Sequence, residues 1–203
     1  MKKILLPASE LSSKTARILI PSLLIISAIL IFTAPLAMPD DYSFISNVIS
    51  ESAAQRVEGA WIARLGFILF GLAVMWQSIA LRRQWAAGAY WCHLAFATFM
   101  ISTAAFSHKP WLESIPYDEV EDLLHSFTAT AMGFAFSFGV LFRLLQRKID
   151  ERNKKLFDIL ALVIATVIPL VGSYVPSIGG LVQRALFTIA YIWYGSEALN
   201  KAK

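Results

Sequence analysis

We single out five of the ionisable side chains that lie inside or at the ends of long apolar stretches of this 203-residue chain, where a charge is costly to keep. They are Arg64, His93, His108, His125 and Arg184. All except His93 lie within about two turns of the same end of their stretches, whereas His93 lies deep and reads as an interhelical hydrogen-bonding residue. Ionisable groups at membrane depth commonly mark a ligand site or an ion pathway. We therefore expect His125, Arg184 and Arg64 to surround one polar pocket, with His108 on the same side of the membrane.

Helical spacing predicts how that pocket is built. His125, Ala129, Gly133 and Ser137 recur at intervals of four, and small residues at this spacing mark a face on which helices approach closely. His125 should then point into the bundle, with the two arginines facing it from other helices and a preceding loop covering it. The predicted ligand-binding residues are Ser50, Glu51, Arg64, His125 and Arg184.

Two functional classes suit such a pocket. In the first, the protein binds, transports or senses a small or lipid-derived anionic ligand, and Arg184 pairs with Glu51. In the second, it is a membrane-embedded enzyme, a lipid-directed hydrolase or transferase. His125 is then the acid/base or a metal ligand, and Arg184 holds an anionic group. An enzyme also needs a nucleophile or a metal beside its acid/base, and the sequence specifies neither, so we place binding first.

The cofactor stays open, with zinc as one candidate. Glu121 and His125 are four residues apart on one helical face, and His108 could approach them to complete an oxygen/nitrogen ligand set. The chain has no HExxH or GxSxG motif, and three histidines are too few for a two-haem site with bis-histidine ligation. A plainer reading is also open, in which Arg64 and Arg184 extend to the headgroups.

The composition indicates which elements position these residues. Apolar residues make up 57% of the chain and charged residues 16%, against about 45–50% and about 25% in soluble domains. Six apolar windows occur, each close to the about 20 residues that cross a bilayer. They cover residues 18–38, 61–81, 86–106, 123–142, 156–175 and 178–199. We predict an all-α fold in which residues 1–203 form a single transmembrane domain of six helices.

The loop after the first window carries an amphipathic pattern. Phe44, Ile45, Val48 and Ile49 recur at helical spacing, with serines, Asn47 and Glu51 between them. This pattern predicts a short amphipathic helix on the outward side of the membrane.

The basic residues predict the orientation. Fourteen of the eighteen lysines and arginines lie before the first window, after the sixth, or in the second and fourth connections. Basic residues stay on the cytoplasmic side, so we expect a multi-pass protein of the cytoplasmic (inner) membrane with both termini cytoplasmic. The net charge of +4 then reflects topology, and we expect membrane lipids rather than nucleic acid as partners. The single cysteine, Cys92, excludes an intramolecular disulfide, and the oligomeric state stays open.

Four short motifs resemble a known family. They are Ser46–Glu51 (SNVISE), Ala60–Gly71 (AWIARLGFILFG), Asp122–His125 (DLLH) and Gly179–Leu186 (GGLVQRAL). In these the chain resembles the bacterial and archaeal six-helix membrane proteins grouped as domain of unknown function 998. The resemblance implies the six-helix fold and an outward cluster of Ser50, Glu51, His125 and Arg184. It implies no activity.

Overall fold

A computed structural model describes residues 11–199, with side chains from residue 15 onward. The terminal lysines used for the topology prediction, Lys2, Lys3, Lys201 and Lys203, lie outside this range, as does the side chain of Lys14. Six α-helices and no strand occur within residues 11–199, which confirms the predicted all-α fold. They are α1 (Leu11–Thr33), α2 (Trp61–Leu81), α3 (Ala87–Ala105), α4 (Glu119–Gln146), α5 (Arg152–Tyr174) and α6 (Gly179–Leu199).

Four of these helices, α1, α2, α4 and α5, are long and apolar enough to cross a membrane. The other two carry the polar groups that lower their hydropathy, His93 in α3 and both Arg184 and Glu197 in α6. The chain is a multi-pass helical membrane protein.

Where polar residues extend a helix, its ends differ from those of the predicted apolar window. α2 begins and ends at the predicted residues, but α4 begins at Glu119, four residues before its window. The Asp118 side chain caps α4, accepting from the backbone N–H groups of Val120 at 2.8 Å and Glu121 at 3.1 Å. At 28 residues, α4 is roughly 42 Å long and extends beyond a hydrocarbon core of about 30 Å.

The helices form a closed ring, because each packs against its neighbour in sequence and α6 returns to α1. Aromatic rings fill the centre of this ring. Phe70, Phe96, Phe136 and Tyr194, from four different helices, are at most 4% exposed. In five of the six pairs among these rings the centroids lie 5.2 to 5.9 Å apart, within the range of favourable aromatic pairs.

The two ends of the bundle differ in their connections. At one end, here named the long-loop end, lie residues 34–60 and 106–118. The Gln55 N–H donates to the His108 carbonyl at 2.9 Å, which joins the two long loops. At the other end, named the basic end, lie the short connections 82–86 and 147–151.

The segment predicted as an amphipathic helix folds differently. Residues 41–48 form turns and irregular backbone, followed by the 3-10 helix Ile49–Ala53; another 3-10 helix, Ala34–Ala37, begins the same loop. The reason is local side-chain bonding. The Ser43 N–H donates to Asn47 Oδ1 at 2.7 Å, and such bonds compete with the helical backbone pattern.

Candidate functional site

Arg184 holds the long-loop end together. It is 5% exposed and donates from Nη1 to the carbonyl oxygens of Phe44 at 2.8 Å and Asn47 at 2.9 Å. Its Nη2 donates to the Tyr42 hydroxyl at 3.0 Å, and the guanidinium lies 3.7 Å from the Phe44 ring centroid. All three acceptors are neutral. Burial raises the pKa of the Tyr42 hydroxyl, and the adjacent charge of Arg184 offsets part of that rise.

Glu51 does not pair with Arg184, which corrects the predicted ion pair. Its Oε2 accepts from the Val48 N–H at 2.7 Å and from Asn47 Nδ2 at 3.1 Å. No salt bridge among the described residues involves either Glu51 or Arg184. The carboxylate instead satisfies an N–H at the start of its own 3-10 helix, where backbone donors lack helical partners.

The other predicted residues of this end also bind loop backbone or a neighbouring helix. Arg64 donates from Nε to the Ala53 carbonyl at 3.0 Å and from Nη2 to the Ala54 carbonyl at 2.8 Å. The Ser50 N–H donates to Gln183 Oε1 at 3.1 Å, which ties the loop to α6. Both arginines therefore fasten the same long loop to the bundle.

His125 belongs to a separate cluster formed with the second long loop. It is 1% exposed, and its Nδ1 lies 2.7 Å from the Phe106 carbonyl oxygen. A carbonyl only accepts, so Nδ1 carries the hydrogen and Nε2 carries the lone pair. That Nε2 is buried without a partner among the described residues, as is the hydroxyl of nearby Ser107. No described hydrogen bond joins His125 to Arg184.

The three candidate zinc ligands, His108, Glu121 and His125, each contact a different backbone group. His108 Nδ1 lies 2.6 Å from the Lys109 carbonyl oxygen, and its ring meets that of His125 edge-on at 5.2 Å. Glu121 Oε1 accepts from the Ser107 N–H at 2.7 Å. Within the part of the chain that the structure describes, no group of three or more His, Cys, Asp or Glu side chains is arranged to hold a metal ion.

The basic end contains a buried ionic network centred on Glu197 of α6. Glu197 Oε2 accepts from Arg143 Nη2 at 2.8 Å and Nε at 3.1 Å, while Oε1 accepts from Arg147 Nη2 at 2.6 Å. Trp85 Nε1 also donates to Glu197 Oε2, at 3.3 Å. Glu197 therefore joins the end of α4 to α6 through charge-assisted bonds.

Asp158 of α5 completes the network. Its Oδ2 accepts from Arg147 Nε at 2.8 Å, and its Oδ1 accepts from Trp193 Nε1 at 2.8 Å. Burial lowers the pKa of Arg147, but the hydrogen bonds and charges of Asp158 and Glu197 outweigh it and raise that pKa above its ordinary value. Arg147 is thus held as a cation by two carboxylates.

Aromatic side chains and His93 support this network from the core. The His93 ring stacks on Trp193 at 4.8 Å and lies 4.8 Å from Trp85, the two indoles that bind the carboxylates. His93 Nδ1 lies 2.8 Å from the Tyr194 hydroxyl, so it makes the interhelical hydrogen bond, between α3 and α6, that its depth predicts.

A pocket of about 570 Å³ opens at the basic end beside this network. Five cationic and three acidic side chains line it, so the lining has a positive net charge. The cationic residues are Arg143, Arg147, Lys148, Arg152 and Lys154, and the acidic residues are Asp150, Glu151 and Glu197.

Three sets of side-chain donors in this lining have no acceptor among the described residues. They are Arg147 Nη1, Lys148 Nζ and the Arg152 guanidinium. The Arg147 side chain is 4% exposed, and its Nη1 is not among the fully buried atoms without a partner, so this edge of the guanidinium faces the pocket that it lines. Lys154 differs, because it donates to Glu151 Oε1 at 2.8 Å. This bond and a backbone N–H from Lys148 lower the pKa of Glu151 to about 2.

Comparison with known proteins places the chain in a family. The model of a family described as "Protein of unknown function (DUF998)" matches residues 22–199. The chain belongs to this family. No curated protein and no solved structure was found to match it.

In this DUF998 protein, sequence reasoning overlooked the basic-end pocket. Asp158 and Glu197 both lie inside apolar windows and meet the criterion that selected Arg64 and His125. The basic residues nearby were interpreted only as topology determinants. Two acidic residues inside apolar windows, each near the end that carries the basic connections, are the signal that would have revealed the network.

Proposed function

We propose that this protein binds a phosphate-bearing anion in the basic-end pocket, and that the basic end faces the cytoplasm from the inner membrane. The observation that carries the proposal is Arg147, fixed by Asp158 and Glu197 with its Nη1 donors left unpaired beside the pocket. A guanidinium held in one orientation loses little conformational freedom when it binds a phosphate oxygen.

The charges around Arg147 support this ligand class. Lys148 and Arg152 add two exposed cations at the pocket mouth. Basic pockets between transmembrane helices on the cytoplasmic side suit anionic headgroups, and each nearby lysine or arginine contributes about 1 kcal/mol to attraction toward an anionic leaflet. The orientation rests on the positive-inside rule applied to the basic connections.

The outward-facing pocket predicted from the sequence remains a second proposal of the same class. It has weaker support, because Arg64 and Arg184 already donate to loop carbonyl oxygens. Without displacing these bonds, an anion there could reach only Arg64 Nη1 and the buried Arg184 Nε, which have no acceptor among the described residues. At the basic end, the Nη1 donors of Arg147 are unengaged.

The test compares binding of glycerol 3-phosphate by the detergent-solubilised wild type and by the double variant Lys148→Gln/Arg152→Gln. Each exposed cation attracts an anion at about 4 Å by about 1 kcal/mol in water, so loss of both predicts an affinity roughly thirtyfold lower. Arg83→Gln is the matched control, because Arg83 is exposed in the other basic connection and does not line the pocket. Equal weakening by the control, or no binding by the wild type, would overturn the proposal.

A membrane-embedded enzyme is the alternative, and one observation favours it. Nε2 of His125 and the hydroxyl of Ser107 are both buried without a partner among the described residues, so no hydrogen bond joins them in this structure, and a serine nucleophile and its base would have to approach each other to form one. A serine-directed fluorophosphonate probe tests this alternative. Labelling of Ser107 that is lost in His125→Ala would support the enzyme, and an unlabelled Ser107 would exclude a reactive serine there.

A further inference from the structure

A second cavity, of about 160 Å³, lies within the membrane-spanning part of the bundle and is mostly apolar. It is bordered by side chains of α4, α5 and α6, with Phe70, Phe96 and Met100 at its back. Gly133 in its wall is exposed, so the cavity opens at the surface of the bundle, where an apolar recess can accept hydrocarbon groups.

The small-residue face of α4 lines this cavity, which corrects the prediction that the face packs against another helix. A Cβ added at Gly133 would meet no atom within 4 Å, and Ala129 lies one turn earlier on the same cavity wall. The neighbouring α5 leaves the space open because it packs loosely. Along its length only Asp158 and Ala161 are buried, and Pro169 interrupts its hydrogen bonding beside the cavity.

The cavity and the basic-end pocket share the same three helices. Phe136, the cavity residue of α4 nearest the basic end, precedes Arg147 by eleven positions, or roughly 16 Å along the helix. Half of a hydrocarbon core of about 30 Å is about 15 Å. A lipid with its headgroup at Arg147 would therefore bring its acyl chain to the near end of the cavity, which continues past Gly133 toward Gln183 at the long-loop end.

We infer that the ligand of the basic-end pocket is a phospholipid whose acyl chain occupies the cavity between α4, α5 and α6. This inference rests on the proposed function and names its ligand class: the phosphate contacts the basic end and the hydrocarbon chain contacts the apolar wall. A soluble phosphate compound would use only the first of these two sites.

Gly133→Phe tests the inference, because the new ring enters the cavity without meeting a neighbouring atom at its Cβ. Gly195→Phe is the matched control: Gly195 lies in α6, its Cβ position is equally free, and it does not line the cavity. Both changes replace a helical glycine, so their effects on helix propensity are alike.

Binding of long-chain phosphatidylglycerol is measured by native mass spectrometry, and binding of glycerol 3-phosphate is measured in parallel. We expect Gly133→Phe to weaken binding of the lipid at least tenfold and to leave glycerol 3-phosphate binding unchanged, with Gly195→Phe altering neither. Undiminished lipid binding by Gly133→Phe would overturn the inference while the proposed function stands. Lipid binding unchanged by Lys148→Gln/Arg152→Gln would also overturn the inference, because the headgroup would then lie elsewhere; failure of the proposed function is read from glycerol 3-phosphate binding alone.

Discussion

Glu197 and Asp158 show how a few side chains keep charge inside an apolar bundle. Both carboxylates are at most 3% exposed, and each accepts from an arginine and from an indole N–H. Taking an ion out of water is costly unless opposite charge and hydrogen bonds compensate it. In this network opposite charges and hydrogen bonds compensate both carboxylates. Arg147 Nη1 makes none of these bonds.

The first prediction follows from this compensation. Glu197→Gln removes the negative charge that Arg143 and Arg147 share, so we expect the free energy of unfolding to fall by about 3–5 kcal/mol. The measurement is chemical unfolding in detergent. The double variant Glu197→Gln/Arg143→Gln should lose less than the two single losses added together, because it also removes an uncompensated cation. Strictly additive losses would contradict a shared ionic network.

At the scale of elements, the start of α5 depends on a local carboxylate. Glu151 precedes the helix, and its carboxylate accepts from the Lys148 N–H at 3.2 Å and Lys154 Nζ at 2.8 Å. Together these bonds fix the chain where it turns from α4 into α5. They also keep Lys154 from facing the pocket as a free cation.

The pH dependence of this turn is the second prediction. The pKa of Glu151 is lowered from 4.5 to about 2, so its contribution to stability is fully present above pH 4.5 and is lost as the pH falls toward 2. The difference in melting temperature between wild type and Glu151→Gln should thus be constant from pH 8 to about 5 and shrink below about 4.5. A difference that already shrinks near neutral pH would contradict this assignment.

Hydropathy predicted the elements better than it predicted their polar contacts. The bounds of α2 follow directly from an apolar stretch, because crossing a bilayer requires that length. The turns at residues 41–48 were missed, because Asn47 and Glu51 bond to backbone N–H groups that a helix would otherwise use. The spacing of apolar residues indicates which face of a helix would be apolar. It does not indicate which side chains bond to backbone N–H groups and so compete with the helix.

For the whole molecule, the candidate site was predicted at the end opposite the pocket. Arg184 and His125 were selected correctly as buried ionisable residues, but burial alone does not tell whether neutral carbonyl oxygens already satisfy them. Their acceptors come from loops distant in sequence, and the sequence does not show which carbonyl groups reach them.

The third prediction concerns orientation. If the basic end is cytoplasmic, reporter fusions after residues 84 and 150 should report the cytoplasm, and fusions near residues 55 and 115 should report the exterior. Both pairs follow from the connections between the six helices. One reversed fusion would contradict the orientation on which the lipid-leaflet argument rests.

The most direct test of the account is whether the basic end holds an anionic lipid. Native mass spectrometry of protein extracted in mild detergent should show a retained phospholipid of anionic class on the wild type, strongly reduced on Lys148→Gln/Arg152→Gln and retained on Arg83→Gln. Retention of anionic and zwitterionic lipids without preference, unchanged in the double variant, would contradict a phosphate-binding pocket at Arg147.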